Sequence, residues 1–266
     1  MQLEDFKFKK KYGQNFLKND SIPRKIVECS KIKEDSLVIE VGPGAGILTR
    51  MLADNPNVKQ VLAYEIDTSL EEILDTNLCD KNNVCVIYDD FLNRNIKKDL
   101  ADYKYSHLYV IANLPYYITT PILMKLIEDE LDLEKIVIMI QKEVAQRFSA
   151  KPDTKDYSSI SVFLNYFFDI KKEINVDRNL FNPRPNVDSM VISLTKKEKT
   201  LDVKDKDVFF KLVRDSFKFK RKTLRNNLKG YDLDKVSKVL EKYKLDLTVR
   251  AEHLPIEIFI DISNNL

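Results

Sequence analysis

Between residues 37 and 140, short runs rich in Val and Ile alternate with stretches in which apolar residues recur at helical spacing. The runs at 37–41, 60–66, 84–88, 108–112 and 136–140 read as buried strands, and segments such as 47–52 and 121–127 read as helices between them. A strand that is apolar throughout is covered on both faces, so this rhythm predicts a parallel sheet with helices on either side. Two further β-like runs, around 167–176 and at 190–194, flank a stretch carrying Pro183 and Pro185, which breaks the rhythm and predicts a late hairpin. After Thr195 a connector rich in Lys and Asp leads to helical patterns at 208–217, 233–243 and 256–260. The expected organisation is an α/β domain over residues 1–198, preceded by a basic arm, and a small helical domain over residues 199–266.

Composition narrows the classes. The chain has 266 residues, 44% hydrophobic and 32% charged, as in soluble globular proteins. No apolar run approaches the roughly 20 residues of a membrane-spanning helix. The first eleven residues are charged and do not read as a secretory signal, so the expected location is the cytoplasm. Cys29, Cys79 and Cys85 are odd in number, lack CxxC spacing and lie far in sequence from His107 and His253. Neither a disulfide framework nor a metal site is expected from them. The net charge of +2 says little, but cations cluster. Lys7, Lys9, Lys10 and Lys11 interleave with Phe6, Phe8 and Tyr12, and Lys218, Lys220, Arg221, Lys222 and Arg225 follow Phe217 and surround Phe219. Each run reads either as a phosphate-binding patch or as a solvated face.

The segment Glu40-Val41-Gly42-Pro43-Gly44-Ala45-Gly46 follows the first strand and opens a helix, the place where parallel sheets bind nucleotides. Its spacing is GxGxG, whereas a dinucleotide fingerprint is GxGxxG with a pyrophosphate on the helix N-terminus. Glu65, ending the next strand, is placed to accept hydrogen bonds from both ribose hydroxyls of an adenosine, with neighbouring Asp67 read as solvated. Asp90, just past the third strand, is placed to accept from an adenine amine. Loop, acid and acid at three successive strand ends point to an adenosine-bearing cofactor without a phosphate, for which S-adenosylmethionine is the candidate.

The fourth strand ends in Asn113-Leu114-Pro115-Tyr116. The exocyclic amine of adenine is a poor nucleophile because its lone pair is delocalised into the ring. Two acceptors outside the ring plane can restore it, and here these are the Asn113 side-chain oxygen and the Leu114 carbonyl, with Pro115 fixing the turn and Tyr116 stacking on the base. A target base must leave its stack to enter such a pocket.

With these residues in place, the chain resembles the small-subunit ribosomal RNA adenine dimethyltransferases. The resemblance rests on Lys11-Tyr12-Gly13-Gln14-Asn15-Phe16-Leu17, the glycine loop, Asn113 to Tyr116, Gln141-Lys142-Glu143-Val144-Ala145, Phe181-Asn182-Pro183-Arg184-Pro185 with Val187-Asp188-Ser189, and Arg221-Lys222-Thr223-Leu224-Arg225-Asn226-Asn227-Leu228. It runs from about residue 9 to residue 252. It implies a Rossmann-like class I S-adenosylmethionine-dependent methyltransferase sheet of seven strands, the last antiparallel at 190–194, with a helical domain that contacts RNA. It further implies that Asn15 and Leu17 cover the cofactor, joining Gly42, Gly44, Glu65, Asp90 and Asn113, and that Phe181 closes the base pocket opposite Tyr116. Lys10, Lys11, Arg147, Lys220, Arg221, Lys222 and Arg225 are the expected RNA contacts. The implied product is dimethyladenosine at two adjacent adenosines near the 3′ end of small-subunit RNA, within a ribosomal subunit or assembly intermediate, made by a monomer without metal. The chain departs from the family at Asn19, where Asp is frequent, and at Asp153 and Ser158, where glycines are usual. Rival readings are the related large-subunit adenine methyltransferases of macrolide resistance, a non-catalytic assembly or transcription factor on the same fold, and a nicotinamide dehydrogenase, which the GxGxG spacing disfavours.

Overall fold

Each apolar run becomes a strand; those at 37–41, 108–112 and 136–140 are buried on both faces, and the edge run at 84–88 is half-buried throughout. In the computed structural model, which describes residues 16–198 and 201–266, the first half runs β1 (Phe16–Leu17), α1 (Ser21–Ser30), β2 (Ser36–Val41), α2 (Ile47–Ala53), β3 (Val58–Glu65), α3 (Glu71–Leu78), β4 (Val84–Tyr88), α4 (Ile96–Leu100), β5 (His107–Asn113), α5 (Thr119–Glu128) and β6 (Leu133–Gln141). There follow α6 (Lys142–Phe148), α7 (Ser159–Phe167), β7 (Phe168–Val176), β8 (Phe181–Asn182) and β9 (Ser189–Lys196), then α8 (Lys206–Ser216), α9 (Leu224–Asn227), α10 (Leu233–Lys242) and α11 (Ile256–Asn265).

Seven strands form one sheet in the order β4-β3-β2-β5-β6-β9-β7. Strands β2 to β6 pair in parallel, and β9 runs antiparallel to β6 with Ile138 opposite Ile192. The Rossmann-like sheet with a reversed late strand is therefore present. Successive strands step outward from β2 in one direction, and β5 starts the other half. At that switch the loops leaving the two halves diverge and open a crevice at the carboxyl ends of β2 and β5. Every residue of β2 is buried, which is why the strand reads as apolar except at Ser36 and Glu40.

Three expectations change. The segment 159–167 becomes the helix α7, missed because Ile160, Val162, Phe163, Leu164 and Tyr166 are all buried and leave no polar face to give a helical period. Strands β7 and β9 are sheet neighbours, but the connection between them is no simple hairpin turn, since it contains β8, which pairs antiparallel with β1 (Leu17 opposite Phe181). The chain also divides otherwise than at residue 199: one compact unit takes residues up to 142 with 171–195, the other 143–170 with 196–266. Side-chain packing explains the second grouping. Phe163 and Tyr166 of α7 meet Phe210 and Phe209 of α8 with ring centroids 5.1 and 5.3 Å apart, and the Tyr157 hydroxyl donates to the Leu254 carbonyl at 3.1 Å. No helix among the described residues is long and apolar enough to cross a membrane.

Candidate active site

The crevice is a cavity with about 1120 Å³ of space, counting its open mouth, walled by the ends of β2, β3, β4 and β5 and by Leu17 from the N-terminal side. The loop leaving β2 turns sharply because Gly42, Gly44 and Gly46 sit at φ of 73°, 60° and 82°, conformations costly to any residue with a Cβ. At Gly42 the backbone alone makes the demand, since a Cβ there would meet Pro115 at an ordinary 3.6 Å. At Gly46 space adds to it, with Leu74 Cδ2 only 3.2 Å from such an atom.

Glu65, 5% exposed, joins two strand ends. Its Oε2 accepts from the Gly44 N–H at 3.2 Å and its Oε1 from the Asp67 N–H at 2.8 Å. Burial pushes its pKa up, and these backbone donors hold it back. An ionised carboxylate has about four acceptor sites, so capacity remains for ligand hydroxyls. Asp67 is not solvated as expected: it is 2% exposed, and its Oδ1 accepts from the Ser69 hydroxyl at 2.7 Å, capping the short turn Thr68–Leu70. At the end of β4, Asp90 lines the cavity while accepting from the Leu92 N–H at 2.9 Å. Arg94 bridges Asp89 (3.3 Å) and Asp99 (Nε, 3.0 Å), and so braces the turn that presents Asp90.

Asn113, Leu114, Pro115 and Tyr116 all line the same cavity. The Leu114 N–H is held by the Met139 carbonyl at 3.1 Å and the Pro115 carbonyl receives Ile118 N–H at 3.2 Å, so the turn is fixed from both sides. No donor among the described residues engages the Leu114 carbonyl oxygen or the Asn113 side-chain oxygen. The Tyr116 hydroxyl lies 2.7 Å from Ser189 Oγ, which sets the ring, and burial raises the phenol pKa and keeps it neutral.

Two cavity residues carry more than their sequence positions announce. Glu40 is fully buried within β2 and its Oε2 completes no hydrogen bond. Desolvation pushes its pKa up to about 8; the nearby Thr49 hydroxyl counters this in part without completing a bond of its own. A carboxyl inside a run of Val and Ile is the signal that could have found it. Ile66 keeps an apolar side chain 40% exposed beside Glu65, a surface suited to the face of a heterocycle; its signal is an apolar residue directly after the acid. The positive-φ loop, the two carboxylates and the apolar wall fit a cationic, adenosine-bearing ligand.

Not every expected residue reaches the cavity. Phe181 is 1% exposed and packs in the core with Val176 and Val191, with Leu17 against that cluster, and it is absent from the cavity wall. It is the register partner of Leu17 in the β1–β8 ladder. Arg147 lies on α6, Lys220, Arg221 and Lys222 on the exposed turn after α8, and Arg225 on α9, all in the second unit. Asn15, Lys10 and Lys11 lie outside the described residues. The departures from the family find local reasons. Asn19 Oδ1 accepts from the Ser21 N–H (3.2 Å) and hydroxyl (2.7 Å) at the start of α1, a task an amide performs as well as a carboxylate. Asp153 does adopt a glycine-like φ of 64°, held by its N–H to the Glu252 carbonyl (2.9 Å) and by His253 Nδ1 at 2.6 Å from its carboxylate. Ser158 is extended and caps α7, its N–H donating to Ser161 Oγ at 3.1 Å.

This sheet and strand-end cavity define a Rossmann-like methyltransferase. The chain belongs to the ribosomal RNA adenine dimethylase family, whose model matches residues 5–266. It is 42% identical over 97% of its length, and 90% of the relative's, to the ribosomal RNA small subunit methyltransferase A of Oceanobacillus iheyensis. It is 43% identical to the protein of that name in Macrococcus caseolyticus, over 98% and 90% of the two chains. Among solved structures it resembles a dimethyladenosine transferase from Plasmodium falciparum (TM-score 0.78, 28% identity, 93% and 95% of the chains). It also resembles the 23S rRNA methyltransferase ErmE (TM-score 0.71, 26% identity, 94% and 99%).

Proposed function

We propose that the protein transfers methyl groups from S-adenosylmethionine to the exocyclic amines of two adjacent adenosines near the 3′ end of small-subunit ribosomal RNA, giving N6-dimethyladenosine. The observation that carries this reading is one cavity holding both the Asn113 to Tyr116 turn and the Gly42–Glu65 cofactor wall. The names of the 42–43% identical relatives favour small-subunit RNA over the large-subunit substrate in the name of the more distant ErmE.

Bound in the cavity, S-adenosylmethionine supplies a methyl group on a positively charged sulfur. Glu65 would hold the ribose hydroxyls, Asp90 the adenine amine of the cofactor, and Ile66 the face of that ring. On the substrate side, Asn113 Oδ1 and the Leu114 carbonyl draw the two N–H groups of the target amine out of the ring plane and localise its lone pair toward the methyl group. The methyl group would pass from the sulfur to that nitrogen and leave a neutral thioether, and the proton the nitrogen then sheds would go to water. Tyr116 holds the base by stacking, its ring set by Ser189. Lys10 and Lys11, with Arg147, Lys220, Arg221, Lys222 and Arg225, hold phosphates. The setting is a ribosomal particle in the cytoplasm, and the enzyme acts as a monomer.

Nucleoside mass spectrometry tests the reading. After incubation with labelled S-adenosylmethionine, small-subunit RNA carries dimethyladenosine and large-subunit RNA does not. The label in large-subunit RNA alone would reassign the substrate, and label in neither would leave the reading without its activity.

A further inference from the structure

A lone exposed apolar side chain is ordinary on a protein surface. Phe219 differs from the others in its setting. It is 55% exposed, the most of any large hydrophobic among the described residues. Of the rest, Ile66 belongs to the cavity and Tyr243 is tethered through its hydroxyl to Asp261 at 3.3 Å.

The backbone under Phe219 is pinned. Its N–H donates to Asn227 Oδ1 at 3.2 Å, and its carbonyl accepts from Asn227 Nδ2 at 3.3 Å and from the Lys222 N–H at 2.9 Å. The same Asn227 amide donates to the Ser216 carbonyl at 2.6 Å. A side chain on so constrained a turn is presented in one place before any partner arrives, and ordering it on binding costs little. Cations flank it in the chain. Lys218 Nζ stands 5.8 Å from the ring centroid, and the exposed Lys220, Arg221 and Lys222 follow directly. None of these last three meets a carboxylate at salt-bridge distance among the described residues; Lys220 Nζ instead donates to the neutral Lys155 carbonyl at 2.9 Å. Their charge therefore faces outward uncancelled.

A flat exposed apolar face flanked by exposed cations, three of them without a carboxylate partner among the described residues, matches one chemistry: a nucleobase unstacked from its neighbours, with its own phosphates on the lysines and arginine. We infer that Phe219 is a stacking platform for a single-stranded base of the RNA, distinct from the base methylated at Asn113. The inference rests on the reading of the protein as an RNA methyltransferase and adds to it the recognition of unpaired RNA by the second unit. An acidic protein segment would satisfy the cations but leave the flat face unused.

The chain contains no tryptophan, so Phe219→Trp installs a single reporter at the platform. Its fluorescence is read in the full-length protein during titration with a single-stranded mixed-sequence RNA oligonucleotide, the fully paired duplex of the same sequence, and polyglutamate. Strong quenching by the single strand, with little change from the duplex or polyglutamate, is expected. Equal quenching by duplex, or quenching by polyglutamate, would replace the platform with a charge contact or an acidic protein surface. No quenching at saturation with the single strand would overturn it. Phe219→Leu keeps the apolar bulk without the π face and is expected to weaken single-strand binding about tenfold with an unchanged salt slope; unchanged affinity would refute the stacking. Wild-type activity on small-subunit RNA separates the two readings: if it is absent, the methyltransferase assignment fails whatever Phe219 does, and if it is present, the fluorescence result judges the platform alone.

Discussion

Glu40 and Asn113 lie at the ends of adjacent strands and act by opposite means, one through a charge withheld and one through acceptors left unspent. The fold holds a proton on Glu40, whose pKa stands near 8 against an ordinary 4.5. A group raised in this way contributes stability that is complete below its unfolded value and is lost as pH rises through the folded one. Ligand-free protein should therefore lose on the order of a few kcal/mol from about pH 5 to about pH 9 relative to Glu40→Gln, which keeps the shape and cannot ionise. Thermal unfolding across that window is the measurement; parallel curves for the two proteins would mean that Glu40 carries no such proton. For Asn113, replacement by Ala removes one of two preorganised acceptors, and turnover should fall about 100- to 1000-fold while the fold and most RNA affinity remain. The loss belongs to single-turnover chemistry. A folded Asn113→Ala protein that made dimethyladenosine at the parental rate would eliminate the acceptor mechanism.

At the scale of elements, what the sequence made legible is what local pattern controls. The five parallel strands announced themselves because burial in the sheet makes runs such as Leu37 to Val41 apolar at every position but Glu40, and the glycine loop because three positive-φ positions in five residues admit little else. The strand ends then brought Gly42, Glu65, Asp90 and Asn113 to one cavity without further information. What stayed hidden depends on distant partners. Helix α7 is buried on nearly every side and so has no polar stripe to betray its period. The pair β1–β8 joins residues 16–17 to 181–182, and only that pairing decides that Phe181 turns to the core beside Leu17. Asp67 looked like a surface acid because nothing in its neighbours reveals the turn it caps. Glu40 was visible as a letter, but its unpaired oxygen was not.

By residue membership, the cavity is lined from the first unit, and the cations from Arg147 to Arg225 belong to the second. If that division is functional, charge changes in the second unit alter RNA recognition without touching the cofactor. Replacing Lys220, Arg221 and Lys222 together by Gln removes three exposed charges, none with a carboxylate partner among the described residues, at the expense of one surface contact, from Lys220 Nζ to the Lys155 carbonyl. The folded state should accordingly be nearly as stable as the parent. RNA affinity should drop, and because each neutralised phosphate releases counterions, the dependence of log affinity on log salt should flatten by up to about one unit for every phosphate no longer held. At saturating RNA the rate of methyl transfer should return to the parental value, so the defect sits in KM and not in kcat. Calorimetry with S-adenosylmethionine should give the parental affinity. An unchanged salt slope would assign the three residues to a solvated face, whereas a weakened cofactor affinity would mean that the units are not independent and that the cavity is shaped in part by the charge of the second.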